Sequence, residues 1–531
     1  MQLSDIDYRD IQALVRFGHG HLPQARFYLL QVADAAKARE WIAANAERVT
    51  HALAGDKPRC ALHVAFTCQG LAALGVPPEA IEDFSLEFKS GMVEPNRSRR
   101  LGDVEANNPE KWAWGVPGKS YPHILVMLYA QDEESLAEWE TQVTAAPWSA
   151  AFHHLYDLTT EHKDELEPFG FVDGVSQPAL DWERAKPARL RNTTEYTNLS
   201  ALGEFLLGYP NEYGRYSDRP LLDAHDKRAR VLPLAEDVPG KRDFGRNGTY
   251  LVVRDLGQDV AGFDDFIKAK SPPPKRERDL RTAMSGRVPA AIPLAPDWPK
   301  GASPQSRVWP VGQPPWNAPH AVYDPEAIIP PGAPGTPLSE KDIEGIGPKL
   351  KDIWLDRFTF EQDPNGVTCP HGAHIRRANP RNADFPEGTR GPIGRLMRLL
   401  GFDRRHTHDD LLSSTRFHRV LRRGRDYVET SDGNVRKGLR FICLNANISR
   451  QFEFVQVSWL ANAKFNALDE DDPLLGVRAK SRDGVPVDRF TRRDENGIPC
   501  RLHGLPRFVT VHGGAYFFLP GIAALRYIAG E

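Results

Sequence analysis

Four short apolar runs, each followed by a stretch whose apolar residues return every three to four positions, set the rhythm of the chain. The runs open at Phe27 (FYLLQV), Ile124 (ILVMLY), Tyr250 (YLVVRD) and Phe441 (FICLNA). The stretches behind them are AAKAREWIAANAERV, DEESLAEWETQV, GQDVAGFDDFI and SRQFEFVQVSWL. A compact, partly β-branched run predicts a strand, and a 3.6-residue period predicts an amphipathic helix. Two such pairs on either side of a turn-rich middle point to a duplicated α+β unit with antiparallel sheets and helices on one face. The competing reading is an ordinary α/β chain.

Between the second and third runs the pattern fades. EYGRYSDRPLLDAHDKRAR loses apolar periodicity, which places a domain boundary near residue 215, giving units 1–215 and 216–531. Residues 271–340 hold 17 of the 44 prolines, a density that excludes regular helix and central strand and makes this stretch a surface excursion inside the second unit.

Length and charge then narrow the class. A chain of 531 residues exceeds one small core, and a net charge of −3 with 40% hydrophobic residues describes a folded soluble protein and names no partner. The five cysteines include no C-x-x-C pair, which argues against a disulfide scaffold or cysteine zinc site and for reduced thiols in the cytoplasm. The acidic start MQLSDIDYRD lacks a secretory layout and no run reaches a membrane span, so no export and no membrane partner are expected.

Candidate chemistry concentrates late in the chain. Residues 376–425 carry thirteen arginines against five acids, inside a slightly acidic protein. Such a block either faces water or converges on an anion that matches the guanidinium fork. CPHGAHIRRANPR (369–381) tilts the choice toward an anion, because His374 stands beside Arg376, Arg377 and Arg381. Neutral imidazole is a common ligand of haem iron, and haem brings two carboxylates that need cations. A hydrogen-bonded core histidine is the bland alternative. Cys369, in a Cys-Pro pair, is a lesser ligand candidate, and His371 is second choice to His374.

HRVLRRGRDYV (418–428) puts Arg422 and Arg423 at the end of a short apolar run, where a fixed cation could steady a developing oxyanion. Leu439 and Phe441, two apart on a strand, would share a face. IEGIGPKL (343–350) looks like the hairpin of a DNA-binding module but occurs once in an acidic protein, so no nucleic-acid partner is expected. HTHDD (406–410), without a second cluster, reads as a polar helix start rather than a metal site.

GFVDG (170–174), NGTYLVVRDL, GAHIRRANPR, HRVLRRG and GLRFICLNANISRQFEF, taken in order, resemble the dye-decolorizing peroxidases, as an enlarged member. The resemblance implies two ferredoxin-like domains with haem b in the C-terminal one. It implies His374 as proximal iron ligand, Asp173 as distal acid–base residue, Arg422 as distal arginine with Arg423 as fallback, Arg376 as propionate partner, and Leu439 and Phe441 against the porphyrin. Asp472, before Pro473, is a candidate acceptor for the other nitrogen of the histidine. The activity implied is reduction of hydrogen peroxide and one-electron oxidation of bulky aromatic donors such as dyes and phenols, through a ferryl porphyrin-radical intermediate. A haem carrier or sensor without turnover is the second reading.

Overall fold

The repeated pattern folds as a repeated topology. The computed structural model describes the chain from Asp5 to Glu531 except residues 54, 56, 162–166, 172–176, 185–197, 272–276, 289–291, 294–359, 361–362, 364, 368, 382–413, 432–433, 466–467, 479–482, 485–487 and 494–497. The first apolar run lies in β1 (Gln24–Val32), and Asp34 starts α1 (Ala35–Ala46) by accepting the N–H groups of Ala36 and Lys37. β2 (Cys60–Phe66), β3 (Ile124–Ala130), α2 (Glu133–Val143) and β4 (Phe152–Glu161) complete the first repeat. The second runs through β5 (Thr249–Gln258), α3 (Val260–Lys270), α4 (Glu277–Ser285), α5 (His374–Ala378), β6 (Leu421–Arg422), β7 (Arg425–Ser431), β8 (Asn434–Asn445), β9 (Val509–Leu519) and α6 (Ile522–Ala529). All four strand–helix pairs read from the sequence are present. The fourth helix is a wide-turned π segment spanning Ser449–Glu453 and Val455–Leu460.

Every pairing in the main sheet is antiparallel, in the order β6/β7-β8-β5-β9-β2-β3-β1-β4. In each repeat the first strand sits between the third and fourth, the ferredoxin-like arrangement. The repeats join edge to edge where Phe518 of β9 faces Phe66 of β2. The far ends also approach, since Arg436 of β8 donates to the Tyr156 hydroxyl of β4 at 3.2 Å. The sheet is therefore rolled, and alternate residues of each strand serve two cores. Phe27, Leu29, Met127, Val253, Ile442 and Phe517 fill the inside with Ile11, Leu14 and Phe205. Tyr28, Leu30, Val126, Val252 and Tyr516 face outward under Trp41 and Ile42 of α1.

One expectation is corrected here. The proline-dense stretch was read as excluding regular helix, yet α4 forms within it, with Leu280 and Met284 buried beside Phe263 and Phe508. The reason is local: residues 275–288 contain no proline, so the three prolines before them precede a helix instead of breaking one. The rest of that stretch, IEGIGPKL and HTHDD lie outside the described residues. Among the described residues no helix is long and apolar enough to cross a membrane.

Candidate functional site

A cavity of about 280 Å³ opens on the outer face of the second repeat. Its sheet wall carries Arg422 of β6, Leu439 and Phe441 of β8, Arg254, Leu256 and Gln258 of β5, and Val509 and Val511 of β9. Strand pairing sets Leu439 opposite Leu256 and Phe441 opposite Arg254, so the period of two puts these four on one face. Its helical wall carries His374, Ile375 and Ala378 of α5 and Phe452, Val455 and Trp459 of the π segment. α5 stops at Ala378 because Asn379 precedes Pro380, and a residue before proline is pushed out of helical geometry.

The same alternation sends the two arginines to opposite sides. Arg422 lines the cavity, whereas Arg423 turns to the opposite side of the strand and donates to the carbonyls of Leu14 (2.8 Å) and Val15 (3.1 Å). Burial pulls the Arg423 guanidinium down to about 10.

His374 is held from behind. Its Nδ1 lies 3.0 Å from Oδ2 of Asp472, a fully buried carboxylate. An ionised carboxylate only accepts, so Nδ1 carries the hydrogen and Nε2 is the ring nitrogen left to meet a metal. Burial works to raise the Asp472 carboxyl, but His374, Arg377 and the Leu475 N–H outweigh it and hold it below the usual carboxylate range. Arg377 fastens the support by donating to the carbonyls of Trp459, Glu470 and Asn462.

Asp173 falls within residues 172–176, outside the described residues, and the residues flanking that segment line the cavity or bond to its wall. Phe171 before it and Pro178 after it both line the cavity that holds Arg422. Gln177 accepts the Arg422 backbone N–H through Oε1 at 2.9 Å.

Arg376 is not brought to the cavity, contrary to the expectation that it meets a propionate. Its guanidinium is buried against Asp363 (3.0 Å) and the Cys369 carbonyl (2.6 Å), because its helix position faces away from His374. Arg381 takes the cavity-lining place: it is 1% exposed, and its carbonyl accepts from Thr415, another wall residue. Neither Cys369 nor His371 is among the lining residues. Burial pushes the Cys369 thiol up to about 12, which keeps it neutral and unsuited to a thiolate ligand. Sequence reasoning also passed over Arg254, Gln258, Glu167 and Asp103, which line the cavity through register and loop packing rather than through any local pattern.

No family model matches the chain. Dye-decolorizing peroxidase msp1 of Mycetinis scorodonius is 24% identical over 482 residues, covering 89% of this chain and 77% of the relative. The dye-decolorizing peroxidase AauDyP1 of Auricularia auricula-judae is 23% identical over 97% of this chain and 86% of its own length. Over most of its length the chain is similar to dye-decolorizing peroxidases. The fold agrees: the DyP-type peroxidase of Anabaena superposes with a TM-score of 0.63 over 98% of this chain and 94% of its own, at 20% identity. A dye-decolorizing peroxidase of Auricularia auricula-judae gives 0.65 over 99% and 100%.

Like the dye-decolorizing peroxidases it resembles, the chain offers residues that fit haem. It presents an imidazole with one nitrogen committed, flat apolar surface from Leu256, Leu439, Phe441 and Leu474, and Arg381 for a carboxylate. Oδ1 of Asn379, Oδ2 of Asp103 and Oε1 of Gln258 are buried at the same cavity without a hydrogen-bond partner, polar atoms that a bound group or its water would satisfy.

Proposed function

We propose that this protein is a haem b peroxidase that reduces hydrogen peroxide and oxidises bulky aromatic donors one electron at a time. The observation that carries the reading is the pairing of two walls: His374, backed by Asp472, on one, and Arg422 above Leu439 and Phe441 on the other. Haem bound there supplies the two electrons that reduce peroxide and recovers them singly from the donor. Non-covalent haem b is favoured because none of the five cysteines forms the C-x-x-C-H pair that attaches a porphyrin.

His374 would hold the iron through Nε2, and Asp472 would keep that nitrogen electron-rich. Peroxide must lose a proton from one oxygen and gain one on the other before the O–O bond breaks heterolytically. Asp173 would carry that proton, accepting it from the inner oxygen and delivering it to the outer one. Arg422 would keep the carboxylate ionised and stabilise the negative charge that grows on the leaving oxygen. The five cysteines are all free, in keeping with a reducing, cytoplasmic setting.

The test is rapid mixing of the haem-loaded protein with peroxide, followed in the Soret band. Asp173→Asn should slow the first step by roughly 10²–10⁴-fold with haem still bound, and Arg422→Ala should slow it too. Wild-type rates in both variants would refute the assignment and leave a haem carrier.

A further inference from the structure

The first repeat reaches into the cavity at one corner. A helix over Pro95–Leu101 ends at Gly102, whose φ of +85 turns the chain in the left-handed conformation that glycine adopts without strain. The Asp103 N–H donates to the Ser98 carbonyl at 2.9 Å, and the Leu101 carbonyl accepts Nε2 of Gln456, from the π segment, at 3.0 Å. Asn107 fastens the far end of this loop to β9, its Oδ1 accepting the Val511 N–H at 3.1 Å. Asp103 is thereby carried to the sheet wall, where its Oδ1 pairs with Nη2 of Arg254 on β5.

The pair is sealed from solvent yet faces the cavity. Asp103 is 3% exposed and Arg254 4%, and both line the wall. One atom of each is spare: Asp103 Oδ2 and Arg254 Nε are buried without a hydrogen-bond partner. Nε shares an edge of the guanidinium fork with Nη2, so the spare donor sits beside the paired carboxylate. Leaving a buried donor or acceptor unsatisfied is costly, and a hydroxyl group satisfies both with one oxygen because it donates and accepts. The surroundings suit an aromatic ring attached to that hydroxyl. Phe441 is the strand partner of Arg254, the Phe452 ring centroid lies 6.2 Å from that of Phe441, and Leu101 and Val511 complete the apolar side. Burial pushes the Asp103 carboxyl above its usual range against the pull of Arg254, which makes the carboxylate a stronger base than one in water.

We propose that the Asp103–Arg254 pair is a clamp for phenolic donors: Arg254 Nε donates to the phenol oxygen, and Asp103 Oδ2 accepts the phenol O–H and takes its proton as the donor is oxidised. This rests on the peroxidase reading. The O–H bond breaks, the proton goes to Asp103, one electron goes to the peroxide-oxidised haem, and a phenoxyl radical leaves. A phenol that loses an electron becomes a strong acid, so a base already hydrogen-bonded to its oxygen lowers the cost of the step. Asp103 thus serves the donor and is separate from the peroxide step.

The experiment compares guaiacol with veratrole, its methyl ether, on the haem-loaded protein. Veratrole keeps the ring but has no O–H to donate. Without peroxide, calorimetry should show guaiacol binding weakened roughly ten- to hundredfold by Asp103→Asn and by Arg254→Lys, with veratrole binding hardly changed. Arg254→Lys keeps a cation against Asp103 and removes the Nε donor, so it decides the matter if Asp103→Asn does not fold. With peroxide, the rate ratio of guaiacol to ABTS, which gives up an electron without a proton, should fall by a similar factor in Asp103→Asn. Unchanged guaiacol affinity in both variants, or an equal loss for veratrole, would overturn the proposal and leave the corner to a bound water. Failure of the wild type to oxidise either donor would instead remove the peroxidase reading and with it the proton step, while the binding measurement tests the clamp alone.

Discussion

Asp472 shows how one side chain can do two jobs with two oxygens. Oδ2 takes the His374 hydrogen, while Oδ1 accepts the N–H groups of Leu474 (2.9 Å) and Leu475 (2.7 Å), so the acid cannot turn away from the imidazole. Asp472→Asn should weaken haem retention roughly 10–100-fold and raise the iron potential, measured by haem transfer to an acceptor protein and by redox titration. The pH dependence has a definite sign. A carboxyl held below its usual value contributes stability above the unfolded pKa and loses it only as pH falls through the lower folded one. The His374–Asp472 link should therefore survive acidification to about pH 4 and fail below it, read as loss of the Soret band. Arg422 and its neighbour separate in the same way. Arg423→Ala removes bonds to the Leu14 and Val15 carbonyls and should lower Tm while leaving the peroxide step near wild type, the reverse of Arg422→Ala.

Strand β8 presents Leu439 and Phe441 to the cavity, and its place depends on how closely β5 and β7 approach it. A Cβ on Gly438 would lie 2.0 Å from the Leu256 carbonyl oxygen and 2.8 Å from the Tyr427 ring. Gly438→Ala must push one of these strands away. It should cost about 1–3 kcal/mol of stability and reduce haem uptake, followed by thermal melting and by Soret absorbance per protein. The π segment was legible as a helix from its apolar period but not as a wide one, since its turn differs from an α-helix by a single residue. Glu453 donating its N–H to Ile448 and Ala461 to Gln456 shows that extra residue, which lets Phe452, Val455 and Trp459 all reach the cavity.

At the scale of the molecule, the beginning of the chain is tied to its end. Asp10 accepts the Ala523 N–H at 2.6 Å at the start of α6 and Asn247 Nδ2 at 2.7 Å. Burial raises the Asp10 carboxyl to about 6. A raised acid binds its proton more tightly folded than unfolded, so its contribution is complete below about pH 4 and lost as pH rises through 6, up to about 3 kcal/mol. Tm should fall across that window, and Asp10→Asn should flatten the slope by one proton. An unchanged slope in the variant would remove Asp10 as its source.

The sequence alone determined the local periods: four strand–helix pairs, an arginine-rich block around His374, and the order of motifs that resembles the family. These are legible because strand and helix write their geometry directly into the spacing of apolar residues, and because haem-ligand chemistry needs particular residue types. Only the tertiary structure put Arg422 and Arg423 on opposite sides of their strand, moved Arg376 away from the cavity and put Arg381 on its wall, and recruited Arg254, Gln258, Glu167 and Gln177. Each of those choices depends on which face of an element meets which neighbour across tens or hundreds of residues. Pairing register and loop packing fix that, and neither leaves a signal in any short window of the chain.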